Sequence, residues 1–122
     1  MPIVDVLVVH RGLDDESLPS APALADALGN VFGAAPGHVW VRLAGLARER
    51  YAENGVAAGD TPAPVFVTVL HARPPEGAAR AAEALAVASA VARACGRAVD
   101  QVHVEYAAPG RGRIAFGGRL LA

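Results

Sequence analysis

The sequence contains no lysine; all 11 basic residues are arginine. A lysine Schiff-base mechanism is therefore excluded. It has one cysteine, Cys95, so neither an internal disulfide nor a cysteine-built metal site is available. Its histidines, His10, His38, His71 and His103, are scattered without metal-ligand spacing, and no metal site is expected. Aromatic residues make up only 5% of the chain, and much of the 53% hydrophobic content is alanine, which buries little area per residue. The expected core is thin, and oligomerisation would supplement it. Excess charge of either sign is missing too. Eleven basic residues face 12 acidic ones, a formal net charge of -1. That argues against a nucleic-acid binder, which needs a basic surface to neutralise phosphates, and no polybasic face is offered to a membrane. No apolar run is long enough to span a bilayer. The segment 3–9 is interrupted by Asp5, and neither a basic stretch before it nor a small-residue cleavage site after it suggests a signal peptide. The expectation is a soluble cytoplasmic protein.

What is present is a repeat. The run Pro2-Ile3-Val4-Asp5-Val6-Leu7-Val8-Val9-His10-Arg11 is matched by Pro64-Val65-Phe66-Val67-Thr68-Val69-Leu70-His71-Ala72-Arg73, at an offset of 62. Both are β-branched runs of strand length, led by proline, whose missing N–H costs least at the start of a strand. Helical spacing follows in each half. Over 21–32, Leu24, Ala25, Leu28, Val31 and Phe32 fall on one face, and Gly33 is placed to end the helix. The alanine-rich stretch 75–95 predicts a longer helix, with Pro75 in its first turn and Gly96 as its stop. Cys95 reads as a small core residue.

Second strands come next, at 38–43 and 101–106. Alternation places Val39, Val41 and Leu43 on the core face and His38, Trp40 and Arg42 opposite. In the second half Val102, Val104 and Tyr106 oppose Gln101, His103 and Glu105. In the tails, Ala44, Arg48, Arg50, Ala52 and Gly55 fall on Ala107, Arg111, Arg113, Ala115 and Gly118. The stretch 56–63 reads as the connection. The expected architecture is α+β: a single domain over 1–122 made of two βαβ repeats, 1–58 and 64–122. Each repeat contributes a parallel strand pair. Together they build a four-stranded mixed sheet with both helices on one face. The other face, lined by Trp40 and polar neighbours, is left for another subunit. Arg42 is expected to pair with a carboxylate across such a contact.

Met-Pro followed directly by a strand, the doubled βαβ unit and a glycine-containing tail resemble the tautomerase superfamily. That family includes 4-oxalocrotonate tautomerase, macrophage migration inhibitory factor and malonate semialdehyde decarboxylase. The tail 112–118 is similar to the oxalocrotonate enzyme's terminal hairpin; Arg111-Gly112-Arg113 and Ala72-Arg73-Pro74 are closer to the decarboxylase. The resemblance spans nearly the whole chain and implies a homotrimer.

It also implies that Pro2, freed by removal of Met1, is a general base. A secondary amine in an apolar setting near cations is pushed towards a neutral-range pKa, where a base works best. Arg73 matches the decarboxylase's catalytic arginine, whose planar fork would hold a carboxylate and stabilise an enolate. Arg11 is its repeat mate and the second candidate for carboxylate binding. Trp40 and His103 occupy equivalent places where relatives carry substrate-binding groups. Glu105 shares the face of His103, as an acid–base partner or as part of a polar subunit contact. Two departures weaken a decarboxylase or hydratase reading: Pro75 stands where that enzyme has a second arginine, and Gly37-His38 where it has an aspartate. Gly110-Arg111-Gly112-Arg113 could mimic an anion loop but lacks a strand–loop–helix context, and reads as part of a hairpin. The expected function is a cofactor-independent keto–enol tautomerase acting on a small 2-oxo or enol carboxylate. The alternatives are a decarboxylase or hydratase and a non-catalytic trimer of the same fold that binds small molecules or serves assembly.

Overall fold

The computed structural model describes residues 2–12 and 18–122; Met1, on whose removal the expected base depends, lies outside the described residues. The order is β1 (Ile3–His10), α1 (Ala21–Phe32), β2 (Trp40–Ala47), β3 (Val65–Leu70), α2 (Gly77–Cys95), β4 (Val102–Tyr106), then a short hairpin of β5 (Ala115–Phe116) and β6 (Arg119–Leu120). The strands order as β2-β1-β3-β4. β1 runs parallel to β2 and β3 parallel to β4, while β1 and β3 are antiparallel. The result is the expected α+β arrangement, a duplicated βαβ with a mixed four-stranded sheet.

Alternation puts Val4, Val6, Val8, Val65, Val67 and Val69 against the helices, each at most 1% exposed. Leu24 and Leu28 of α1 and Val87, Val91 and Cys95 of α2 complete this layer. Val39, Val41, Leu43, Val104 and Tyr106 pack on its edge, as their spacing implies. α1 begins where the Ser20 side chain accepts a hydrogen bond from the Ala23 N–H, and ends at Gly33 in the left-handed conformation.

Three element starts move, and β2 runs on to Ala47 rather than ending at 43. α2 starts at Gly77 rather than 75, because the chain turns through Gly77 at φ 58 and Glu76 caps it in an extended conformation. Pro75 lies ahead of the helix, its carbonyl accepting from Arg80 Nε at 2.7 Å. β2 starts at Trp40 because 35–38 form a turn, with Gly37 at φ 81. Gln101 belongs to a tight turn, Val99–Gln101, ahead of β4.

Arg42 corrects a further expectation. Its carboxylate lies in the same chain, not across a contact: its Nη2 donates to Asp5 Oδ2 at 2.8 Å. Parallel register sets Arg42 directly opposite Asp5. Register continues the row through Thr68 to Glu105, so one line of polar groups crosses the open face.

Candidate active site

Antiparallel pairing of β1 with β3 decides which termini meet. Ile3 lies opposite Leu70, so Pro2 and the bend that follows β3 share one end of the sheet. Pro2 is buried there. Its carbonyl accepts the Trp40 N–H at 3.1 Å, which brings Trp40 to the same end. The indole donates to Gly37 O at 3.0 Å and meets the Phe116 ring edge-on, centroids 5.4 Å apart.

The tail after β4 closes over this end. Ala107 N–H donates to Val69 O at 2.9 Å and Gly110 N–H to His71 O at 2.8 Å; Arg111 N–H reaches Ala72 O at 3.2 Å. A cleft of about 450 Å³ opens between tail and sheet, lined by Leu70, Ala107, Ala108, Gly110, Arg113 and Ile114. That volume suits a small organic molecule. Buried Gly110 is needed where it sits. A Cβ there would stand 3.2 Å from Ile114 Cγ2 and 3.4 Å from His71 O, so a side chain would require Ile114 to give way by a few tenths of an ångström.

The expected site residues divide. Pro2, Trp40 and Arg73 gather at this end. Arg73 is exposed on the bend, one residue beyond the Ala72 carbonyl that ties down the tail. Arg11 follows the far end of β1, roughly 30 Å from Pro2 at the usual rise per strand residue. His103 lies opposite Phe66, itself opposite Leu7, towards that far end. Its ring packs on Phe66 at 5.6 Å, and no hydrogen bond joins it to Glu105. Within one chain, then, His103, Glu105 and Arg11 do not meet Pro2.

Two features were not legible in the sequence. The first is Arg113 in the cleft wall: its repeat mate Arg50 was visible, but the fold-back that carries it to Leu70 was not. The second is a half-buried polar cluster under the bend. His71 Nε2 lies 3.0 Å from Glu83 Oε2, and the Tyr106 hydroxyl donates to the same oxygen at 2.6 Å. His71 also stacks on Tyr106 and meets Phe32 edge-on, and Arg80 lies 5.5 Å over the Tyr106 ring. These contacts fasten α2 to the ends of β3 and β4 and so hold the bend that carries Arg73.

Burial, and then the bond to Glu83, push the Tyr106 phenol well above its ordinary pKa. The Tyr51 phenol is also raised, chiefly by its hydrogen bond to Glu53. A raised phenol favours the folded state while it stays neutral. Its contribution is complete below about pH 10 and is lost as pH climbs towards the folded value. Tyrosinate absorbance is therefore expected to rise together with alkaline unfolding, and Tyr106→Phe to flatten the alkaline fall in stability. Free ionisation of both phenols near pH 10 with the fold intact would contradict this.

No protein-family model matches the chain, and no curated protein does. Solved structures do. The chain has the fold of the tautomerase superfamily, shared over nearly its whole length with structures of that group. One is a fused 4-OT, a wild-type symmetric trimer, at 20% identity and TM-score 0.75, covering 97% of this chain and 94% of that one. Another is FG41 malonate semialdehyde decarboxylase inhibited by 3-bromopropiolate, at 15% identity and TM-score 0.68, covering 94% and 88%. A third is macrophage migration inhibitory factor from Oncomelania hupensis, at 18% identity and TM-score 0.71, covering 100% and 83%. Among the described residues no helix is long and apolar enough to cross a membrane, and no group of three or more His, Cys, Asp or Glu is placed to hold a metal.

Proposed function

We propose that this protein is a cofactor-independent keto–enol tautomerase of small 2-oxo or enol carboxylates, with the amine of Pro2 as general base once Met1 is removed. The observation that carries the reading is the place of Pro2. It is buried at the head of a central strand, at the sheet end where the tail closes a cleft walled by Leu70 and Arg113. A secondary amine held there would take a proton from the carbon beside a carbonyl, or from an enol hydroxyl, and return it elsewhere on the same substrate. A nearby cation would stabilise the enolate. Arg73, on the bend at this end, is the cation assigned that role, and Trp40 lies at the same end of the sheet. Simple proton transfer needs no activated water, which suits a chain with Pro75 and Gly37-His38 where the decarboxylase has its arginine and aspartate.

The protein is proposed to act as a homotrimer. Among the described residues one sheet face has no covering layer, and Trp40 and Phe66 are 44% and 36% exposed on it. A fused 4-OT of the same fold is a symmetric trimer. In such an assembly Arg11, His103 and Glu105 would serve a neighbouring copy's site or the contact itself.

The test begins with intact mass, then measures ketonisation of phenylenolpyruvate and 2-hydroxymuconate by chains that begin at Pro2, with light scattering on the same sample. Turnover above buffer by a trimer is expected, with little or none on malonate semialdehyde. A chain of verified mass with no ketonisation would remove the tautomerase reading, and a monomer would remove the trimer.

A further inference from the structure

We propose that Arg113, on the tail, is the anchor for the substrate's carboxylate and thereby the residue that restricts this site to carboxylates; the inference rests on the proposed Pro2 site. Three arginines compete for the part. Arg11 follows the opposite end of β1. Arg73 stands on the exposed bend outside the cleft lining. Arg113 is exposed like Arg73, but it is in the lining itself, beside Leu70 and Ile114.

The guanidinium of Arg113 has no hydrogen bond or ion pair to any described residue. Its donor fork is therefore available to a ligand, and a planar fork matches a carboxylate with two parallel bonds.

The backbone that presents it is held. Arg113 N–H and Ile114 N–H both donate to Gly110 O, at 2.8 and 2.9 Å. Gly112 N–H donates to Leu121 O at 2.6 Å, and Leu121 N–H to Ile114 O at 2.9 Å. Gly112 takes φ 74 to make this turn possible. Gly110 and Arg111 fasten the turn to the strand extension at His71 and Ala72. A cation on a braced turn loses little freedom when it binds, which makes it a better anchor than one on a loose loop.

The tail also reaches the other side of the site. Phe116, three residues beyond Arg113, packs on Trp40, whose N–H holds the Pro2 carbonyl. Trp40 is the only tryptophan in the chain, so its emission reports on this end of the sheet without interference.

That reporter separates binding from catalysis. Trp40 emission is titrated with 2-oxohexanoate, and ketonisation is measured in parallel with phenylenolpyruvate and its methyl ester. The parent, Arg113→Gln and Arg113→Lys are compared. Arg113→Gln is expected to weaken 2-oxohexanoate binding about tenfold to a hundredfold, the usual range for losing a charged hydrogen-bond pair. It should raise KM for the acid by a similar factor with kcat little changed, and leave the ester's rate as in the parent. Arg113→Lys, which keeps the charge without the fork, should recover part of the loss. Equal binding by parent and Arg113→Gln, or no binding by the parent, overturns the proposal. Binding that depends on Arg113 in a protein that turns nothing over would sustain the anchor and refute Pro2 as the base.

Discussion

Replacing Pro2 by alanine is expected to lower kcat/KM for ketonisation by about 10²-fold or more, within the range a positioned general base supplies. The substitution leaves an amine, but a primary one without the ring that fixes its direction. A sharper version keeps Met1. The nitrogen of Pro2 is then an amide, its lone pair delocalised into the carbonyl, and it is no longer basic. That chain should fall to the buffer rate. Neither change should unfold the protein. The hydrogen bond at Pro2 is made by its carbonyl, which Trp40 N–H reaches at 3.1 Å and which alanine also provides. Thermal unfolding of both forms should therefore match the parent. Rates equal to the parent in chains of verified mass would take Pro2 out of the reaction.

The second large effect is expected in the core. Leu28→Ala should cost about 3 kcal/mol, read as a lower urea midpoint with the slope unchanged. The reason lies in composition. Leu24 and Leu28 are fully buried, and their neighbours in the core are valine, alanine and Cys95. Valines are stiff at χ1 and fill vacated space poorly, so a cavity persists. Total stability of a single domain is on the order of 5–15 kcal/mol, so this one change removes a large share. The double change with Leu24→Ala should leave the chain largely unfolded. Protein concentration must be held constant, because subunit assembly contributes to apparent stability. A loss for Leu28→Ala below about 1 kcal/mol would mean that the two layers close over the gap.

Much of the fold is legible from local pattern. Period-two valines mark the strands and their inner faces. Gly33 and Gly96 mark the helix stops, and both adopt the left-handed conformation, at φ 59 and 63. The boundaries that shifted lie where turns compete with a periodic pattern. At 75–77 a proline is followed closely by a glycine of positive φ, and at 35–40 a turn takes up residues that alternate like a strand. The pairing of Arg42 within its own chain was hidden for a different reason. Its partner Asp5 is 37 positions away and becomes a neighbour only through strand register.

The absence of lysine and the single cysteine exclude a lysine Schiff base and an internal disulfide by composition alone. The repeat sets two βαβ units, their helices, and the side of each strand that faces the core. These properties depend on residues a few positions apart, so one strand or helix is enough to express them. The choice among arginines depends on long-range pairing. Antiparallel β1 and β3 bring the bend with Arg73 to Pro2 and send Arg11 to the other end. The tail's bonds to His71 and Ala72 then carry Arg113 into the cleft. Arg11, Arg73 and Arg113 are alike as letters in the sequence; the register of the sheet and the fold-back of the tail put only one of them in the wall.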